Sequence, residues 1–179
     1  QWGAGAAVLC AAPAWAKVPS RRALSFEHLH TGERLSVTYY ANGAYNDHAL
    51  KSINHLLRDF RTAQVFPIRR QLLDQLYLVH AAIGSDAPYQ IICGYRSPAT
   101  NEFLRRTSSG VAQRSLHMDG MAIDVRLRDT RTRHLRDVAA RPAVVLRHDR
   151  VRATSDSVVD VTHAVDMLAG QCNKEVALA

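Results

Sequence analysis

Cysteine is scarce in this chain and forms no pattern. Cys10, Cys93 and Cys172 lack the close spacing of a zinc knuckle, and 179 residues can bury a core without disulfide support. Cys93 and Cys172 are read as two free thiols, although an oxidising compartment would permit them to pair. A long apolar run is also missing: the opening stretch Gly3 to Ala12 is too short to span a bilayer, so no stable membrane insertion is expected. Acidic residues are outnumbered, 16 against 23 lysines and arginines, which leaves a formal charge of +7. Such a chain is attracted to an anionic polymer: nucleic acid, a membrane surface or the acidic bacterial wall. Aromatic residues are few and are not interleaved with basic ones in the RNA-binding manner. No helix-turn-helix pattern appears either, so no nucleic-acid partner is expected.

What is present begins with that opening stretch, which ends in Ala14-Trp15-Ala16, the small-x-small pattern of signal peptidase cleavage. Residues 1–16 are read as the tail of an export signal that begins at Gln1 without its charged start; Cys10 would leave with it. A short buried helix of the mature fold is the alternative. The remainder has the length of one domain, expected as a monomer.

Two alternating runs, Ala23 to His30 and Arg34 to Tyr40, predict a β-hairpin turning at Gly32. Asn46-Asp47 caps a helix with Leu50, Ile53, Leu56, Leu57 and Phe60 on one face; His55 within it is a solvent or packing residue. A second helix spans Arg69 to Ile83 and stops at Gly84. Pro88 to Cys93 is a short continuous apolar run, the mark of a buried strand. Arg96 therefore leaves the end of a central strand. A short helix from Pro98 through Arg106 follows, then a turn at Met118-Asp119-Gly120 and a strand from Met121 to Leu127.

This order sets His117 and Asp124, seven residues apart across Gly120, where they can converge on one point beside Arg96. Zinc accepts imidazole nitrogen and carboxylate oxygen in a tetrahedral shell, and a hydrolytic site needs three protein ligands and one open position. The ion acidifies water and polarises a scissile carbonyl. Arg96 suits either the developing oxyanion or a substrate carboxylate clamped by its planar fork. A blander reading pairs Asp124 with Arg96 and leaves His117 on a surface loop.

Gly94-Tyr-Arg-Ser-Pro98, Asn101, Gly110-Val-Ala112 and Ser115-x-His117-x-x-Gly120-x-Ala122-x-Asp124 resemble the zinc-dependent murein peptidases related to D-Ala-D-Ala carboxypeptidases, in their YcbK-like murein endopeptidase (MepK) branch. Leu29-His-Thr-Gly-Glu33, Asn54-His-Leu-Leu-Arg-Asp59 and Leu73-Asp-Gln-Leu-Tyr77 are similar to that branch in order and spacing. The likeness spans residues 22–140. It implies an α+β fold of the hedgehog/D,D-peptidase type, a central antiparallel sheet with flanking helices. It also implies export to the periplasm, a Zn2+ cofactor, and hydrolysis of peptide cross-links in peptidoglycan during wall growth or remodelling. By the same likeness His117 and Asp124 are zinc ligands, Arg96 is catalytic, and Tyr95 and Ser115 contact substrate.

The family takes its third ligand from a His-x-Asp motif in a terminal strand, after a Gly-Gly-Val-Gly-Tyr-Tyr-like segment. This chain has neither. From Arg126 to Arg152 it carries nine arginines and three aspartates, as a shifted reading frame of a GC-rich gene would, and residues 141–179 are read as a divergent, frameshifted tail. His163, in the β-branched run Val158 to His163, is the candidate third ligand; His148 comes too early in the chain. The general base belongs to the same missing segment and is not assigned. Two alternatives follow: a catalytically inactive wall-binding paralogue, and a truncated product that folds poorly.

Overall fold

The computed structural model describes residues 20–140. The expectations for the export signal, Cys10, Cys172, His148, His163 and the 141–179 tail lie outside the described residues.

The α+β class holds. Strands β1 (Arg21–His28), β2 (Arg34–Ala41), β3 (Ala44–Tyr45), β4 (Tyr89–Cys93) and β5 (Asp124–Arg126) form one sheet in the order β3-β2-β1-β4-β5. Three of its pairings are antiparallel, but β1 and β4 run parallel. The parallel pair follows from the connection: two helices, α1 (Asp47–Leu56) and α2 (Arg70–Ile83), lie between these strands, and a crossover of that length permits parallel pairing. The sheet is therefore mixed rather than wholly antiparallel.

Alternation along β1 buries Leu24, Phe26 and His28. Tyr39 of β2 and Tyr89 and Ile91 of β4 extend that buried surface. Against it α1 contributes Ala49, Ile53 and Leu56, and α2 contributes Leu72, Leu73, Leu76 and Val79. Helix α1 packs on β2, α2 on β1, and α4 (Thr132–Ala139) on α2. Between the strands polar groups interlock: Glu27 receives Arg34 at 2.7 Å, Gln90 at 3.1 Å and Arg128 at 3.1 Å.

Local signals place most boundaries. Asn46 accepts hydrogen bonds from the His48 and Ala49 amides, and Gly84 closes α2 in the left-handed region at φ 73°. Two boundaries differ from expectation. Helix α1 ends at Leu56 rather than running to Phe60, because the Leu57 carbonyl accepts the Tyr95 amide at 2.7 Å. Strand β5 begins only at Asp124, since the Met121 amide bonds back to Leu116 at 3.0 Å and Ala122 stays outside the ladder. Among the described residues no helix is long and apolar enough to cross a membrane.

Candidate metal centre

The site forms where β4 ends, α3 (Pro98–Thr107) begins and the Leu116–Asp119 turn meets β5. Cys93 and Asp124 are cross-strand partners. Their pairing depends on an irregularity: Gln90 faces Arg126 and Ile91 faces Val125, then the register skips Ile92 and sets Cys93 opposite Asp124. A bulge of this kind re-aims a side chain at the end of a ladder.

His117 sits in a single 3-10 turn closed by Gly120 at φ 63°. A side chain at Gly120 would be strained by that backbone and would also strike the Pro67 carbonyl oxygen. The Gly120 carbonyl in turn accepts the Arg69 amide at 3.0 Å, which fastens the turn to the start of α2.

The imidazole of His117 is buried, with its Nδ1 2.8 Å from the Gly94 carbonyl oxygen. A carbonyl only accepts, so Nδ1 carries the hydrogen and Nε2 is left with its lone pair. Nε2 lies 3.5 Å from Asp124 Oδ2. A lone pair facing a carboxylate requires a positive charge between them. In the metal-free protein a proton fills that need: burial opposes protonation, but the negative charges that Cys93 and Asp124 can carry outweigh it and raise the His117 pKa to about 10.

These residues fit a zinc ion. Asp124 Oδ1 is buried without a hydrogen-bond partner, and the ligand atoms of Cys93, His117 and Asp124 lie within 4.8 Å of one another. With bonds of about 2.0–2.1 Å, two N/O ligands of a tetrahedral ion stand roughly 3.3 Å apart, close to the His117–Asp124 separation. The Gly94 carbonyl behind Nδ1 is the outer partner that metal-binding histidines need.

Arg96 completes the group. Its side chain is buried, its Nε has no partner, and its amide donates to the His117 carbonyl at 3.2 Å. Among the described residues the partner of its guanidinium is Cys93 Sγ, 3.8 Å from Nη2. The loop that carries it is held from both sides. Asp59 accepts the Ser97 amide at 2.9 Å, and Ser97 caps α3 through the Thr100 amide. Burial pushes the Asp59 carboxyl up, but hydrogen bonds from Ser97, Thr100 and the Arg61 amide together hold it below the usual carboxylate range. Gly94 has no room for a side chain against the Leu57 carbonyl.

Arg96, His117 and Asp124 are thus brought together. The blander pairing of Asp124 with Arg96 does not form: Asp124 meets His117, and His117 is not a surface residue. Tyr95 is 4% exposed and stacks on Phe66 at 4.9 Å between centroids. Ser115 is half-buried just before the 3-10 turn, in a segment anchored by Asn101, whose amide nitrogen donates to the Ala112 carbonyl at 3.1 Å. Two contributors escaped the sequence reading. Asp59 lay in the family-like segment Asn54 to Asp59 but was given no role, and Cys93 was read only as a free thiol, although its place directly before Gly94-Tyr-Arg at a strand end was a usable signal.

The chain matches known proteins over most of its length. The Peptidase_M15_2 family, described as peptidoglycan L,D-endopeptidase MepK, matches residues 16–145. Peptidoglycan L,D-endopeptidase MepK of Escherichia coli is 37% identical over 137 residues, 75% of each chain, and that of Shigella flexneri is equally similar. The probable peptidoglycan L,D-endopeptidase MepK of Haemophilus influenzae is 39% identical over 115 residues, 64% of this chain and 62% of its own. No solved structure is significantly similar. With the family matched over residues 16–145 and a relative 37% identical over 75% of each chain, this chain belongs to the MepK family of peptidoglycan peptidases.

Proposed function

We propose that this chain is an exported zinc peptidase that hydrolyses peptide cross-links in peptidoglycan. The observation that carries the reading is the buried approach of His117 Nε2 to Asp124 Oδ2 at 3.5 Å, with Asp124 Oδ1 unpartnered and Arg96 alongside. His117 and Asp124 would hold the ion. Zinc, when bound, supplies an acidified water and polarises the carbonyl under attack.

The chain's own residues do the rest. The Gly94 carbonyl holds the imidazole in one tautomer and orientation. Arg96 brings a planar fork of donors with no carboxylate partner among the described residues. It is free to receive a substrate carboxylate or the oxyanion that develops at the scissile carbonyl. Ser115, at the edge of the site, is offered to substrate. Tyr95, with its ring buried on Phe66, acts by holding the Arg96 loop. The peptidase domain is placed at residues 22–140, the protein in the periplasm, and its working form as a monomer.

The formal charge of +7 and the relatives' printed activity both favour an acidic wall polymer as substrate. The test is to purify the chain, count zinc, and digest isolated sacculi with wild type and His117→Ala. One zinc per chain with cross-link fragments released only by wild type supports the reading. A chain that binds no zinc and releases nothing removes it.

A further inference from the structure

We propose that the thiolate of Cys93 is the third protein ligand of this metal centre; the inference rests on the zinc-peptidase reading above. The position is built rather than incidental. Without the register skip at Ile92, Asp124 would face a branched hydrocarbon; with it, the residue opposite Asp124 is a cysteine. Directly opposed strand residues point to the same face with their Cβ atoms about 5 Å apart. The sulfur therefore joins the His117 and Asp124 ligand atoms in one cluster no wider than 4.8 Å. A Zn–S bond of about 2.3 Å sets a sulfur-to-N/O edge of roughly 3.6 Å, so closing the shell asks for a shift of about 1 Å at a partly exposed side chain.

Electrostatics point the same way. Arg96 Nη2 lies 3.8 Å from Sγ, so a positive guanidinium flanks the sulfur as a hydrogen-bond donor, and the metal form of a cysteine ligand is the thiolate. A thiolate and a carboxylate together cancel the two positive charges of zinc while His117 stays neutral. A buried site then carries no uncompensated charge beyond Arg96, which keeps its attraction for an anionic substrate. Arg96 is thus tied to the metal shell through sulfur as well as through its amide bond to the His117 carbonyl.

The experiment loads the full chain, its Cys93→Ser variant and its His117→Ala variant with cobalt(II) and records absorption through the near ultraviolet and visible. Wild type is expected to bind one cobalt and show a sulfur-to-cobalt charge-transfer band. Cys93→Ser should lose the band and bind at least tenfold more weakly, with an unchanged thermal unfolding midpoint of the metal-free form. A second measurement needs no variant: zinc should slow iodoacetamide alkylation of the Cys93 peptide at least tenfold, read by mass spectrometry. Cobalt bound with visible bands but no sulfur band, or alkylation indifferent to zinc, overturns the Cys93 assignment and leaves the His117–Asp124 reading intact. Wild type that binds no cobalt overturns both.

Discussion

The Gly94 carbonyl oxygen and His117 Nδ1 are 2.8 Å apart, and this one contact joins the end of strand β4 to the turn that carries the imidazole. Gly94 thereby fixes which nitrogen of His117 is free to bind metal. Replacing Gly94 by alanine forces the backbone away from the Leu57 carbonyl. Overpacking of this kind costs about 1–3 kcal/mol, and loss of the outer-shell bond costs roughly 10–100-fold in metal affinity. Thermal unfolding and a competitive zinc titration check both. Wild-type zinc affinity in Gly94→Ala would show that the carbonyl does not orient the imidazole.

Arg96→Lys keeps the positive charge and removes the planar fork. With Arg96 binding a carboxylate or oxyanion, kcat/KM on muropeptides should fall by roughly 10²–10³-fold while zinc content stays the same. Equal activity in the lysine variant would leave only a nonspecific role for the charge.

Chelation should abolish cleavage, and zinc should restore it. Removing the ion leaves Asp124 Oδ1 unpartnered and buried, so the metal-free form should also melt at a lower temperature. Calorimetry with and without one equivalent of zinc reads the difference, and identical midpoints would argue that the ion adds nothing to the folded state.

Asp59→Asn should unseat the Arg96 loop, because its carboxylate accepts both the Ser97 and Arg61 amides at 2.9 Å. Loss of charge-assisted bonds at a buried position costs about 1–3 kcal/mol. The folded carboxyl titrates below its ordinary value, so its contribution is complete above about pH 4 and disappears as pH falls through the depressed value. Urea unfolding at neutral and acid pH should show wild type and variant converging only in acid.

His28 gives a second pH dependence, of opposite origin. Burial first, and then the neighbouring charge of His30, hold its pKa down to about 4. The unfolded chain takes up a proton near 6.5, which the folded chain resists until about pH 4. Stability should therefore be complete above about 6.5 and fall as pH drops from there, by up to about 1.4 kcal/mol per unit. His28→Gln should flatten that slope in denaturant titrations between pH 7 and 4; an unchanged slope would place the proton uptake elsewhere.

Local chemistry alone determined much of this protein. Asn46 and Gly84 cap helices through a side chain and through backbone freedom. Two-residue alternation reveals β1 and β2, and the spacing of His117, Gly120 and Asp124 points to a metal site beside Arg96. Each of these depends on atoms within a few residues of one another, so a one-dimensional reading reaches them. Tertiary structure decided the rest. Leu57 ends α1 because its carbonyl serves Tyr95, the parallel pairing of β1 with β4 comes from a helical crossover, and Asp59 supports the Arg96 loop from 38 residues away. Above all, the place of Cys93 rests on a one-residue skip in register between β4 and β5. Such a skip is settled by pairing across the sheet, where alternation along one strand carries no information about its partner.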